Sequence, residues 1–167
     1  MLLLLLCCQA LDSCEQNVFE TISQDWQSPP VRFVMQGVEV VSSPVLNIVP
    51  PMVLHFSGEQ DAARSGFVGF AFDWVTVATV KLLVNRERPA GGTDRLDSSF
   101  PSGHTAFAFT QAMIYSHHDH RLAIPMFTYA TVVGFSRVYL GKHYPSDVVA
   151  GAALGIVVGL LAVGLTD

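Results

Sequence analysis

DVVAGAALGIVVGLLAVGL, residues 147–165, decides the fold, because after Asp147 no charged residue appears until Asp167. At about 1.5 Å per residue, a helix of that length reaches roughly 28 Å, close to the hydrocarbon thickness of a bilayer. Three apolar runs precede it, Gly66 to Val84, His104 to Ser116 and Leu122 to Val138, and polar or glycine-proline connections separate them. Each is expected to be a helix. Upstream, Val31 to Phe56 is apolar but is punctuated by Ser42-Ser43-Pro44 and Pro50-Pro51. That suits either one kinked span or a helix restarting at Pro44 behind a serine cap. Asn17 to Gln27 sets Val18, Phe19, Ile22 and Trp26 at helical spacing ahead of Pro29-Pro30, an amphipathic helix able to lie on a membrane surface. The expected architecture is all-α, an up-and-down bundle of about five to six helices, transmembrane, with the active site at one end.

Composition agrees. Half of the 167 residues are hydrophobic and 14% are charged, against roughly 25% charged in soluble domains. The net charge of -5 argues against nucleic acid as a partner, which calls for a broad basic face. Cys7, Cys8 and Cys14 all lie at the N-terminus, so no disulfide framework or metal-ligand spacing runs through the body of the chain. Residues 1–11 read as a signal-peptide core, with Cys8-Gln9-Ala10 as a small-x-small cleavage site, as a clipped first transmembrane segment, or as the site of a lipid-modified cysteine. Residues 12–167 are expected to form a single domain.

The polar residues gather at helix ends. Lys81 and Arg88 close one helix, and His104 opens the next behind Pro101-Ser102-Gly103. Ser136-Arg137 ends a third, while His143 and Asp147 begin the last. In an up-and-down bundle these ends share one face. Six of the nine basic residues (Lys81, Arg86, Arg88, Arg95, Arg137 and Lys142) fall in or beside the two connections. A local positive pocket in an acidic protein is an anion site.

Lys81-Leu-Leu-Val-Asn-Arg-Glu-Arg88-Pro89, then Pro101-Ser102-Gly103-His104, then Ser136-Arg137 with His143 and Asp147, resembles the three-part signature of the type-2 phosphatidic acid phosphatase superfamily. The likeness runs from Lys81 to the C-terminus. It implies a helical-bundle phosphatase that works without metal or cofactor, with His143 as nucleophile and His104 as general acid. From the residues alone either histidine could attack; the family pattern and the adjacent Asp147 assign the roles.

Phosphoryl transfer needs its equatorial oxygens held, a nucleophile, and a proton donor opposite it. Lys81, Arg88 and Arg137 supply the cations. Ser102 and Gly103 precede an apolar helix, where backbone N–H groups favour an anion and glycine allows close approach. Asp147, one helical turn beyond His143, is expected to fix the imidazole tautomer. The substrate expected is a phosphomonoester or pyrophosphate of a membrane lipid: phosphatidic acid, phosphatidylglycerophosphate, undecaprenyl pyrophosphate or lipid A. The alternatives are a soluble secreted acid phosphatase with the same pocket and a non-enzymatic membrane protein that binds phosphate headgroups. Likeness to bacterial members implies a multi-pass inner-membrane protein with its site facing the periplasm or exterior. His117-His118-Asp119-His120 reads as a polar loop at the opposite end, and Asp94 and Asp97 as turn residues near the entrance.

Overall fold

The computed structural model describes residues 12–91 and 97–167, so the readings made on residues 1–11 and on Asp94 and Arg95 lie outside the described residues. It contains α1 (12–20), which runs on as a π turn over Thr21–Asp25, then α2 (Pro29–Val41), α3 (Val49–Ser57) and α4 (Gln60–Val84). α5 (Gly103–His118), α6 (Ala123–Tyr139) and α7 (Pro145–Thr166) complete the bundle, and no strand occurs among the described residues.

The chain breaks between α2 and α3 at Ser42-Ser43, with a short 3-10 turn over Pro44–Ile48, and the two arms bend by 50°. The expected serine cap is not what restarts the helix. Ser43 makes no side-chain cap bond, and Ser42 Oγ donates back to the Val38 carbonyl at 2.7 Å. Pro44 opens the 3-10 turn instead, a position where its missing N–H costs nothing.

α4 and α7 are each long and apolar enough to cross a membrane, and the bent α2–α3 pair makes a third span if taken as one. Phe33, Phe56, Leu83 and Ile124 point outward, all more than three quarters exposed. Large apolar side chains presented this way belong against lipid.

α5 is the central helix, packed on α4, α6 and α7. Its contact with α7 depends on a seam of small residues. A Cβ at Gly151 would come within 2.6 Å of the Ser102 carbonyl oxygen and one at Gly159 within 2.7 Å of Met113 Cβ, while one at Gly155 would collide with the Ala106 carbonyl oxygen. Glycine at every fourth position lets the backbones touch, as small-residue seams do between membrane helices. Thr110 Oγ1 donates to the Gly155 carbonyl at 3.0 Å across the same seam.

At the site end, α4 stops at Asn85, whose φ of 48° lies in the left-handed region that asparagine tolerates. Its N–H caps the Lys81 carbonyl at 3.0 Å. The turn delivers Arg86 and Arg88 over the N-terminal ends of α5 and α7.

Candidate active site

His143 lies in the α6–α7 connection and is 2% exposed. Its Nδ1 is 2.7 Å from the carbonyl oxygen of Ser99. A carbonyl can only accept, so Nδ1 carries the proton and Nε2 keeps its lone pair. Nε2 faces Nη1 of Arg88 at 3.3 Å. Burial pushes the His143 imidazole down to about 4; the Arg88 and Arg137 charges push the same way, and Asp147 opposes them. The ring is therefore neutral at ordinary pH, as a nitrogen nucleophile must be.

Asp147 is fully buried, with its nearest carboxylate oxygen 3.7 Å from His143 Nδ1. Its closer partners are Ser99 Oγ at 2.5 Å, the Tyr144 N–H at 2.8 Å and Arg86 Nη1 at 2.8 Å. The bond from Tyr144 is the reach-back that a third-residue acid makes at a helix start, with Pro145 in the first turn. Arg86 also pairs with Glu15 of α1 at 2.8 Å and lies over the Tyr144 ring at 4.3 Å. α1 is thereby fastened to the α6–α7 connection, and Phe19 packs on Tyr144 with ring centroids 5.4 Å apart.

Two cavities meet at the histidines. An apolar one of about 310 Å³ is lined by Trp74, Val77, Ala78 and Phe107 with Lys81 and Gly103. A polar one of about 360 Å³ is lined by Glu39, Asp97, Arg137 and Lys142. Arg88, His104 and His143 line both. A larger apolar cavity of about 690 Å³ beside Tyr115 and Leu122 brings no such group of cations and histidines together.

The cations are differently held. Lys81 Nζ donates to the Ser98 carbonyl. Arg88 donates to the Asp97 carbonyl and carboxylate, both at 2.8 Å, and to the Lys142 carbonyl at 3.1 Å. Arg137 is anchored at Nη2 by Glu39 at 2.9 Å, while its buried Nε and Nη1 have no partner among the described residues. Buried guanidinium donors without partners are rare and mark a place built for an acceptor.

The model of the PAP2 superfamily matches residues 50–167. The chain belongs to the PAP2 superfamily. The lipid A 1-phosphatase of Porphyromonas gingivalis is 36% identical over 62% of this chain and 23% of that protein. The undecaprenyl-diphosphatase BcrC of Bacillus subtilis is 36% identical over 42% and 37%. The chain thus spans less than two thirds of these relatives. Phosphatidylglycerophosphatase B of Bacillus subtilis is 31% identical over 95% of this chain and 85% of its own length. Aquifex aeolicus LpxE superposes with a TM-score of 0.80 at 27% identity, covering 89% of this chain and 94% of its own. A transmembrane PAP2 type phosphatidylglycerolphosphate phosphatase from Bacillus subtilis shares the fold, with a TM-score of 0.78 at 24% identity, over 93% of this chain and 86% of its own.

In this PAP2 chain Lys81, Arg88, Gly103, His104, Arg137 and His143 all line the joined cavities. Two expectations need correction. The Ser102 N–H donates to the Asp147 carbonyl at 3.0 Å and its hydroxyl pairs with Thr105 Oγ1 at 2.9 Å. Ser102 is therefore part of the α5–α7 joint, with its N–H already taken. Asp147 does not hold the imidazole tautomer directly; the Ser99 carbonyl does, and Asp147 holds Ser99. Ser99 and Glu39 went unassigned in the sequence, since a backbone acceptor leaves no residue-type signal and Glu39 lies outside the signature; Arg86, counted there among the cations of the anion pocket, pairs instead with Glu15 and Asp147. Ser98-Ser99, directly ahead of Phe100-Pro101, was the available hint. At the far end His117 pairs with Asp167 at 2.8 Å and His118 with Ser65 Oγ at 2.9 Å, and no metal-holding group occurs among the described residues.

Proposed function

We propose that the chain is a metal-independent phosphatase of a membrane lipid phosphate that acts through a phosphohistidine on His143. The observation that carries this reading is the Nδ1–H bond of His143 to the Ser99 carbonyl. It leaves the Nε2 lone pair unprotonated, accepting from Arg88 Nη1 at 3.3 Å, among the cations of the site, with His104 lining the same cavities.

In the first step the Nε2 lone pair attacks phosphorus and a P–N bond forms as the P–O ester bond breaks. Burial and the neighbouring cations hold the His104 imidazole at about 3 in the free protein, so the proton it passes to the departing oxygen enters with the substrate monoanion. In the second step His104, now neutral, takes a proton from water; the water oxygen bonds to phosphorus and the P–N bond returns its pair to Nε2. Lys81, Arg88 and Arg137 stabilise the charge on the equatorial oxygens, and the α5 N-terminus adds its N–H groups. The apolar cavity suits a hydrophobic tail.

Phosphate release measured across phosphatidic acid, phosphatidylglycerophosphate and a soluble phosphomonoester tests the reading, with a chelator throughout and detergent varied. Turnover of a lipid phosphate is expected to persist with chelator and to stop with vanadate. Release from none of these substrates, or loss of activity on chelation, refutes it.

We place the site end at the outer face of the cell membrane, as the resemblance to bacterial members implies. Cys14, exposed on α1 beside the Glu15 that binds Arg86 and Ser146, reports on this end. With Cys7 and Cys8 replaced by serine, a membrane-impermeant maleimide should label Cys14 in intact cells, and labelling only after lysis reverses the orientation.

A further inference from the structure

Glu39 lies on α2, outside the signature stretches, yet its Oε1 accepts a hydrogen bond from Arg137 Nη2 at 2.9 Å. Arg137 is 2% exposed, and Nε and Nη1, both buried, are left without a partner among the described residues. A planar guanidinium held at one nitrogen presents the other two in a fixed direction. Glu39 therefore sets the aim of the Arg137 fork and puts a carboxylate on the wall of the polar cavity.

The charges facing the two cavities can be counted. Lys81, Arg88, Arg137 and Lys142 stand against Glu39 and Asp97, a surplus of two positive charges among the described residues. A phosphomonoester carries about -1.5 to -2 near neutral pH, which this surplus matches. A diphosphate ester brings at least one further negative charge. Two of the four cations already carry a carboxylate, which leaves less positive charge for its second phosphate. Arg88 is paired with Asp97, Arg137 with Glu39, and Lys81 lines only the apolar cavity.

We propose that Glu39 is a selectivity residue that admits a phosphomonoester and disfavours a diphosphate ester at this site. This rests on the phosphatase reading above. The like charge of Glu39 acts against the second phosphate, as an unpaired or repelling group does in selective sites.

Farnesyl monophosphate and farnesyl diphosphate share one tail and differ only in the second phosphate, so the ratio of their kcat/KM values reads the selectivity directly. The wild-type protein is expected to favour the monophosphate. Glu39→Gln keeps an acceptor for Arg137 and removes the charge, and should shift the ratio about tenfold towards the diphosphate, carried mostly by KM. Glu39→Asp keeps the charge and should restore the wild-type preference. A ratio unmoved in Glu39→Gln, or a wild-type preference for diphosphate, overturns the proposal. Release from neither substrate instead defeats the phosphatase reading beneath it. Inhibition of the wild-type protein needs no variant: inorganic phosphate should compete more strongly than inorganic pyrophosphate, and the reverse order also overturns the proposal.

Discussion

The carbonyl oxygen of Ser99 lies 2.7 Å from Nδ1 of His143, nearer than the Asp147 carboxylate at 3.7 Å. Asp147 reaches the imidazole through the residue between them, its Oδ2 accepting from Ser99 Oγ at 2.5 Å. The carboxylate thus fixes the loop that fixes the ring. Outer groups of this kind typically contribute factors of about 10 to 100 where they orient a reacting ligand. Asp147→Asn should lower kcat about a hundredfold, and Ser99→Ala, which keeps the carbonyl, about tenfold. Steady-state kinetics on folded variants checks both. A Ser99→Ala protein with full activity, beside an Asp147→Asn protein as dead as one lacking His143, would restore a direct Asp147–His143 pairing.

Arg137 should not tolerate lysine. Its unpartnered Nε and Nη1 form a fork that a point charge cannot reproduce. Arg137→Lys is expected to lower kcat/KM about a hundredfold or more and to weaken vanadate inhibition in parallel. Retention of wild-type vanadate affinity would show that the fork faces elsewhere.

Acid should inactivate the protein later than an ordinary histidine would suggest. Burial holds His143 at about 4 against an ordinary value near 6.5. The proposed nucleophile therefore stays unprotonated as pH falls through the weakly acidic range. Once the substrate's own ionisation is allowed for, the acid limb of kcat/KM belonging to the free enzyme should fall near pH 4. The same shift has a stability sign. Because the folded state disfavours the charged ring, the His143 contribution is fully present above about 6.5 and is lost as pH falls from there through about 4. An acid limb near 6.5 assignable to His143 would contradict the buried, neutral ring.

The α5–α7 seam should be intolerant of bulk. A side chain at Gly155 meets backbone, the Ala106 carbonyl, which cannot rotate away. Gly155→Val is expected to destabilise by about 1–3 kcal/mol, lowering Tm by roughly 3–10 °C in detergent. Gly164, with nothing within 4 Å of its added Cβ, should accept alanine with little change. Equal Tm values for both variants would show that the seam does not hold the site end together.

Much of this was readable before any coordinates. The apolar runs from Gly66 onward correspond to α4, α5, α6 and α7, because uninterrupted hydrophobicity and proline-glycine connections are local signals. Lys81, Arg88, His104, Arg137 and His143, singled out in the sequence by residue type, come together around the two cavities. Ser102 was misread because helix-start N–H groups look alike in sequence, and only the approach of α7 shows that its N–H is taken by Asp147. Ser99 was missed since it acts through a carbonyl that every residue possesses. Glu39 was missed because its role depends on α2 packing against α6, a contact nearly a hundred residues apart in the chain.

The central claim is that Nε2 of His143 carries the phosphoryl group. The most direct measurement is rapid quenching of the protein with a radiolabelled lipid phosphomonoester, followed by mapping of the acid-labile, base-stable label. The label should accumulate on His143 within the first turnover, and His143→Ala should bind substrate yet form no adduct and turn over at least about 10⁴-fold more slowly. Label on His104, or a His143→Ala protein that retains substantial hydrolysis, would contradict the account.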